Sequence, residues 1–185
     1  MLKKRSKEDI GILTNTKTLV FAALLTALSV AIGWVCKTYF TFGAIRVTFE
    51  SMPVLLAGMM LGPFAGLAVG VASDLVSCLL SGYGVNPVIT VGAGLIGIVS
   101  GIIYYNCNIK RKGYLSALVC VLPAHIIGSM AVKTLGLHMY GYAMPILLAR
   151  IPLYIVISLV EAYIIYSLLR NPAITGGMAR IRSKK

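Results

Sequence analysis

Asp74 sits inside the run GPFAGLAVGVASDLVSCLLSG, which is otherwise apolar enough to cross a bilayer. An ionisable side chain at membrane depth costs about 2.5–3.5 kcal/mol on insertion scales, so by default it faces a cavity and has a partner there. Gly66, Gly70, Asp74, Ser77 and Ser81 recur every three or four residues and form one small or polar helix face. Such a face can approach another helix closely and line a pocket. Arg150, Tyr154, Ser158 and Glu161 share a second stripe, and the planar fork of Arg150 can clamp a carboxylate or phosphate. His125, Ser129 and Lys133 form a third, at intervals of four residues. Each has a plain structural alternative: an interhelical hydrogen bond for His125, snorkelling to headgroups for Lys133, and helix packing for Glu161. An Asp74 to Arg150 salt bridge without ligand is the corresponding alternative for those two.

Two loops add candidates. CKTYFTFGAIRVTFESM combines Tyr39, Phe40, Phe42 and Phe49 with Arg46 and Glu50, and reads as a lid or pocket wall, or as an interfacial aromatic belt. SGYGVNP holds Tyr83 and Asn86; Asn86 suits either a helix cap ahead of Pro87 or a ligand contact. One acid and three bases, Asp74 with Arg46, Lys133 and Arg150, suit a ligand with separate hydrogen-bond-donating and anionic ends. A carboxylate matches the paired N–H donors of an aminopyrimidine or pterin edge, and the cations match carboxylates.

The elements that must position these groups are membrane helices. The chain is 58% hydrophobic and 12% charged, with mean hydropathy +0.90, far too apolar for an ordinary soluble domain. Apolar runs near 17–37, 50–62, 63–82, 86–106, 114–136 and 145–169 predict an all-α integral membrane bundle of six transmembrane helices with external lid loops. Gly62-Pro63 predicts a tight turn between the second and third, and the second is short for a complete span. The first run has a basic start and no A-x-A pattern, so it reads as a retained helix.

Cations cluster at Lys3, Lys4, Arg5, Lys7 and Lys17, at Lys110, Arg111 and Lys112, and at Arg170, Arg180, Arg182, Lys184 and Lys185. Six spans put all three clusters on one side, which the positive-inside rule makes the cytoplasm, with both termini there. A count of five or seven would break that agreement. Asp74 then lies about 12 Å below the external end of its helix. Residues 1–170 read as a single membrane domain and 171–185 as a basic cytoplasmic tail.

The net charge of +12 comes in short clusters beside apolar spans, which argues against nucleic-acid binding. Cys36, Cys78, Cys107 and Cys120 are scattered without CxxC spacing, and His125 and His138 lack ligand-like spacing, so no metal site is expected. Ser129 and His125 lack an accompanying G-x-S-x-G, and no G-x-x-x-x-G-K-[ST] run is present, which argues against a hydrolase or an ATPase in this chain. Ala23, Ala27 and Ala31 form a small-residue ridge that permits close approach of another helix, as do Gly58 with Gly62 and Gly97 with Gly101.

The block GAIRVTFESMPVLLAGMMLGPFAGLAVGVASDL, the following GYGVNPVITVGAGLIGIVSG and the alanine ridge resemble the substrate-binding S components of energy-coupling factor (ECF) vitamin transporters, in their folate-specific branch. The resemblance implies a multi-pass cell-membrane subunit, typical of Gram-positive bacteria, that captures folate in an outward-facing pocket. It implies no enzymatic activity and no cofactor in this chain; a coupling transmembrane subunit and two cytoplasmic ABC-type ATPases would supply energy from ATP. Ala23, Ala27 and Ala31 match the motif that contacts the coupling subunit. Arg46, Asp74 and Asn86 match positions in the folate-type blocks, while Lys133, Arg150, Tyr83 and His125 complete the candidate site on depth and chemistry. The run NPVIT departs from the branch, which often has glycine after Asn-Pro. Another vitamin, such as riboflavin, pantothenate or thiamine, and a stand-alone ion-coupled carrier relaying through Asp74 and Glu161 are the alternatives.

Overall fold

Gly62 and Pro63 divide the longest apolar stretch of the chain into two helices. Gly62 has φ 114° and ψ 165°, a left-handed backbone that a side chain would strain, and Pro63 opens the next helix where its missing N–H costs nothing. The computed structural model describes residues 15–42, 45–82, 84–106 and 113–172, with the side chains of residues 42, 45 and 46 excepted. The basic clusters at 3–7, 110–112 and 180–185 therefore lie outside the described residues.

The helices are α1 (Thr16–Tyr39), α2 (Ser51–Leu61), α3 (Pro63–Ser81), α4 (Pro87–Asn106), α5 (Tyr114–His125), a π-helix (Ile126–Lys133), α6 (Thr134–Met139) and α7 (Met144–Arg170). Five helical stretches are long and apolar enough to cross a membrane, with α5, the π-helix and α6 counting together as Tyr114–Met139. The expected second span is shorter than the rest: α2 has 11 residues, about 17 Å of helix against a hydrocarbon core of about 30 Å. Ten of its residues are buried, as befits a helix that is apolar all round. Between α1 and α2 the chain forms a small antiparallel pairing, Thr41 opposite Arg46 and Phe42 opposite Ile45, where only loop was expected.

The single regular helix expected over 114–136 is instead broken in character. Pro123 removes one backbone donor within α5, and immediately after His125 the chain widens into the π-helix before returning to α6. Thr134 Oγ1 donates to the Ser129 carbonyl five residues back, at 3.2 Å.

Small residues hold the centre together. A Cβ on Gly66 would lie 2.6 Å from both the Gly58 Cα and the Gly97 carbonyl oxygen, backbone atoms of α2 and α4 that cannot swing aside. The glycine spacings thus serve close approach of α2, α3 and α4 within this chain. Around them Leu55, Ala57, Met59, Val69, Ile96 and Val121 form the buried core. Gly66→Ala is expected to cost about 3 kcal/mol, at the upper end for overpacking, read as a lowered unfolding midpoint in detergent.

Candidate functional site

Gly70 brings α3 against the Ala93 backbone of α4, and one turn further on α3 presents Asp74. Thr90 of α4 lies across from it and donates its hydroxyl to Asp74 Oδ2 at 2.7 Å, while also lying 3.1 Å from the Asn86 carbonyl. Asp74 Oδ1 has no hydrogen bond among the described residues, so it keeps acceptor capacity toward the space beside it. That space is a cavity of about 570 Å³, within the usual range for small-molecule sites.

Its walls come from α1, the α1–α2 connection, α2, α3, α4, the π-helix, α6 and α7. Asp74, Asn86, Lys133 and Arg150 all line it, so four of the expected site residues converge on one space. Asn86 is held at both ends: its Oδ1 accepts from the Val88 N–H at 2.9 Å, and its Nδ2 donates to the Gly136 carbonyl at 3.2 Å. It therefore caps α4 and ties it to α6 as well as facing the cavity.

Lys133, only 7% exposed, lies at the end of the π-helix with its Nζ 3.6 Å from Glu50 Oε1. This separation is longer than the 2.7–2.9 Å of a tight charge-assisted bond, so the pair is loosely engaged. Glu50 is anchored through its carbonyl, which accepts from Ser29 Oγ of α1 at 2.6 Å. Arg150 does not pair with Asp74 among the described residues. Its Nη2 donates to Tyr154 Oη at 3.1 Å and its guanidinium carbon stands 5.3 Å from the Tyr154 ring centroid, a cation–π arrangement.

His125 does not line the cavity; it stands one layer behind, fully buried against Tyr154. It makes the interhelical bond instead, with Nε2 2.6 Å from Glu161 Oε2 and Nδ1 3.0 Å from Ser129 Oγ. Tyr83 lies outside the described residues, as does the side chain of Arg46, whose backbone belongs to the strand pairing. Ala23, Ala27 and Ala31 are exposed on the outer side of α1, opposite the face that buries Ala22, Leu25 and Ser29.

Several residues in and around the cavity were not foreseen from the sequence. Thr90 carried a usable signal, since it follows Asn86 by four residues and so shares its helix face. Glu50 was visible in the loop but not as the partner of Lys133, a pairing that needs the tertiary fold. Apolar wall residues such as Ile89, Ala93 and Leu147 had no distinguishing pattern in helices that are apolar throughout. Among the described residues no cluster of His, Cys, Asp and Glu could hold a metal. The arrangement offers an acceptor on α3, cations on the π-helix and α7, and apolar walls between, which suits a flat ligand with distinct ends.

Comparison with known proteins gives the family. The description "ECF transporter, substrate-specific component" matches residues 17–181. The folate transporter FolT of Clostridium novyi (strain NT) is 32% identical over 75 residues, which span 40% of this chain and 44% of that protein, less than half its length. A crystal structure of FolT bound with folic acid shares the fold, with a TM-score of 0.66 and 23% identity over 83% of this chain and 92% of that one. With its apolar helices, the cavity they enclose and a match over nearly its whole length, the chain belongs to the multi-pass membrane family of ECF transporter substrate-specific components.

Proposed function

We propose that this chain captures folate in the cavity, with Asp74 accepting from the N–H donors of the pterin edge and Lys133 and Arg150 taking the glutamate carboxylates. The observation that carries the reading is the placement of Asp74, with an acceptor oxygen to spare, in one cavity with Lys133 and Arg150 of other helices. The partial match to a protein named as a folate transporter supports the same ligand. Thiamine, itself a cation, fits Lys133 and Arg150 poorly. Asn86, Tyr83 and Arg46 complete the ligand-facing set in this reading, with His125 acting from behind.

The cavity opens outward in this proposal. α2 with its preceding connection counts as a sixth crossing, which places the three basic clusters and both termini in the cytoplasm. Residues 1–170 form the membrane domain and 171–185 a tail near anionic headgroups. The exposed Ala23, Ala27 and Ala31 ridge docks on a coupling transmembrane subunit, and two cytoplasmic ABC-type ATPases hydrolyse ATP for the assembly.

Calorimetric titration of the purified protein with folate and with thiamine tests this reading. Tight folate binding is expected; tight thiamine binding without folate binding would overturn it. Lys133→Gln is expected to weaken folate binding about tenfold in the same assay, the lower end for a hydrogen bond to a charged group, because Lys133 already shares its charge with Glu50.

A further inference from the structure

Beneath the cavity lies a polar cluster that touches none of its space. His125, Ser129, Ser158 and Glu161 are all 0% exposed. Glu161 Oε2 and Ser129 Oγ engage the two ring nitrogens of His125, yet Glu161 Oε1 has no partner among the described residues. A buried acid–imidazole pair with an orphaned oxygen is costly compared with apolar packing. What the cluster does contact is Tyr154. The His125 ring centroid is 5.8 Å from that of Tyr154 at an interplanar angle of 34°, and Ser158 Oγ donates to the Tyr154 carbonyl at 2.6 Å.

Tyr154 in turn lines the cavity and holds Arg150 by hydrogen bond and ring face. Both helices are irregular at this contact. Pro152 lies between Arg150 and Tyr154 and deletes a backbone donor of α7, while the α-to-π transition follows directly after His125. Backbone hydrogen bonding alone is therefore weakest where these side chains must be aimed.

We propose that His125 and Glu161 are positioning residues of the cavity: Glu161 and Ser129 fix the His125 ring, the ring fixes Tyr154, and Tyr154 aims Arg150 at the ligand. Neither His125 nor Glu161 touches the ligand. The inference deepens the folate reading and uses folate as its probe, but the geometry of Tyr154 is a property of the chain itself.

The test is a folate titration of the full chain carrying His125→Leu with Glu161→Leu, which replaces both buried partners together and leaves neither orphaned. The pair of changes is expected to weaken binding about tenfold when Arg150 is present and less than about twofold in an Arg150→Gln background, because residues acting through one another are not additive. An equal factor in both backgrounds would mean a merely structural role and would overturn the proposal. Glu161→Gln keeps a hydrogen-bonding group against His125 and is expected to retain affinity within about threefold. A larger loss there also counts against positioning through His125.

A second readout needs no ligand. In fluorotyrosine-labelled protein the 19F resonance assigned to Tyr154, by its loss in Tyr154→Phe, is expected to shift or broaden in the paired leucine variant and to stay in place in Glu161→Gln. An unchanged resonance in the leucine variant refutes the positioning role. If the unaltered chain binds no folate, the proposed function fails, and this resonance still decides the positioning role.

Discussion

Asp74→Asn is expected to weaken folate binding by about tenfold to 150-fold while leaving the unfolding midpoint nearly unchanged. Asparagine retains one carbonyl oxygen that can accept from Thr90 Oγ1, so the α3–α4 hydrogen bond at 2.7 Å survives. The other oxygen becomes an NH2 group. In the proposed pose it would confront the ligand's own N–H donors, losing one charge-assisted bond worth about 1.5–3 kcal/mol and placing two donors face to face. Titration calorimetry against thermal unfolding in the same detergent separates the two effects. Unchanged affinity would remove Asp74 from the site; a collapsed fold would make Asp74 structural.

A second large effect is expected far from the cavity. Ala27 lies at the centre of the exposed ridge of α1, so Ala27→Trp changes the face away from the buried residues Ala22, Leu25 and Ser29. Folate affinity of the isolated protein should therefore remain at its original value. Docking of a coupling subunit on a small-residue ridge depends on close helix approach, and overpacking such a contact costs about 1–3 kcal/mol. Cellular folate uptake is accordingly expected to fall about fivefold or more, with membrane abundance unchanged. Normal uptake would show that the ridge faces lipid alone, and uptake that persists without any ATPase partner would favour a stand-alone carrier.

The helices were legible in the sequence because membrane spans announce themselves by length and hydropathy. The expected run 17–37 became Thr16–Tyr39, 63–82 became Pro63–Ser81, and 145–169 became Met144–Arg170. The Gly62-Pro63 break was readable because both residues impose backbone geometry locally. The π-helix was not, since its i to i+5 bonding leaves the spacing of His125, Ser129 and Lys133 in sequence unchanged. Polar residues within apolar helices were equally visible, and Asp74, Asn86, Lys133 and Arg150 do converge. Their division of labour was hidden. Whether His125 faces the cavity or Glu161 depends on rotation of α5 about its axis, which the apolar positions on all sides of that helix do not define. Glu50 and Lys133 are separated by 83 positions in the chain, a pairing that only the folded bundle brings to 3.6 Å.

The proposed role of this cavity is to hold a folate. Its most direct test is mass spectrometric identification of the small molecule retained by the protein when it is extracted in mild detergent and purified without added ligand. A folate is expected, present with the unaltered chain and depleted from Asp74→Asn. Retention of a different vitamin, such as riboflavin or thiamine, with no folate detectable, would contradict it.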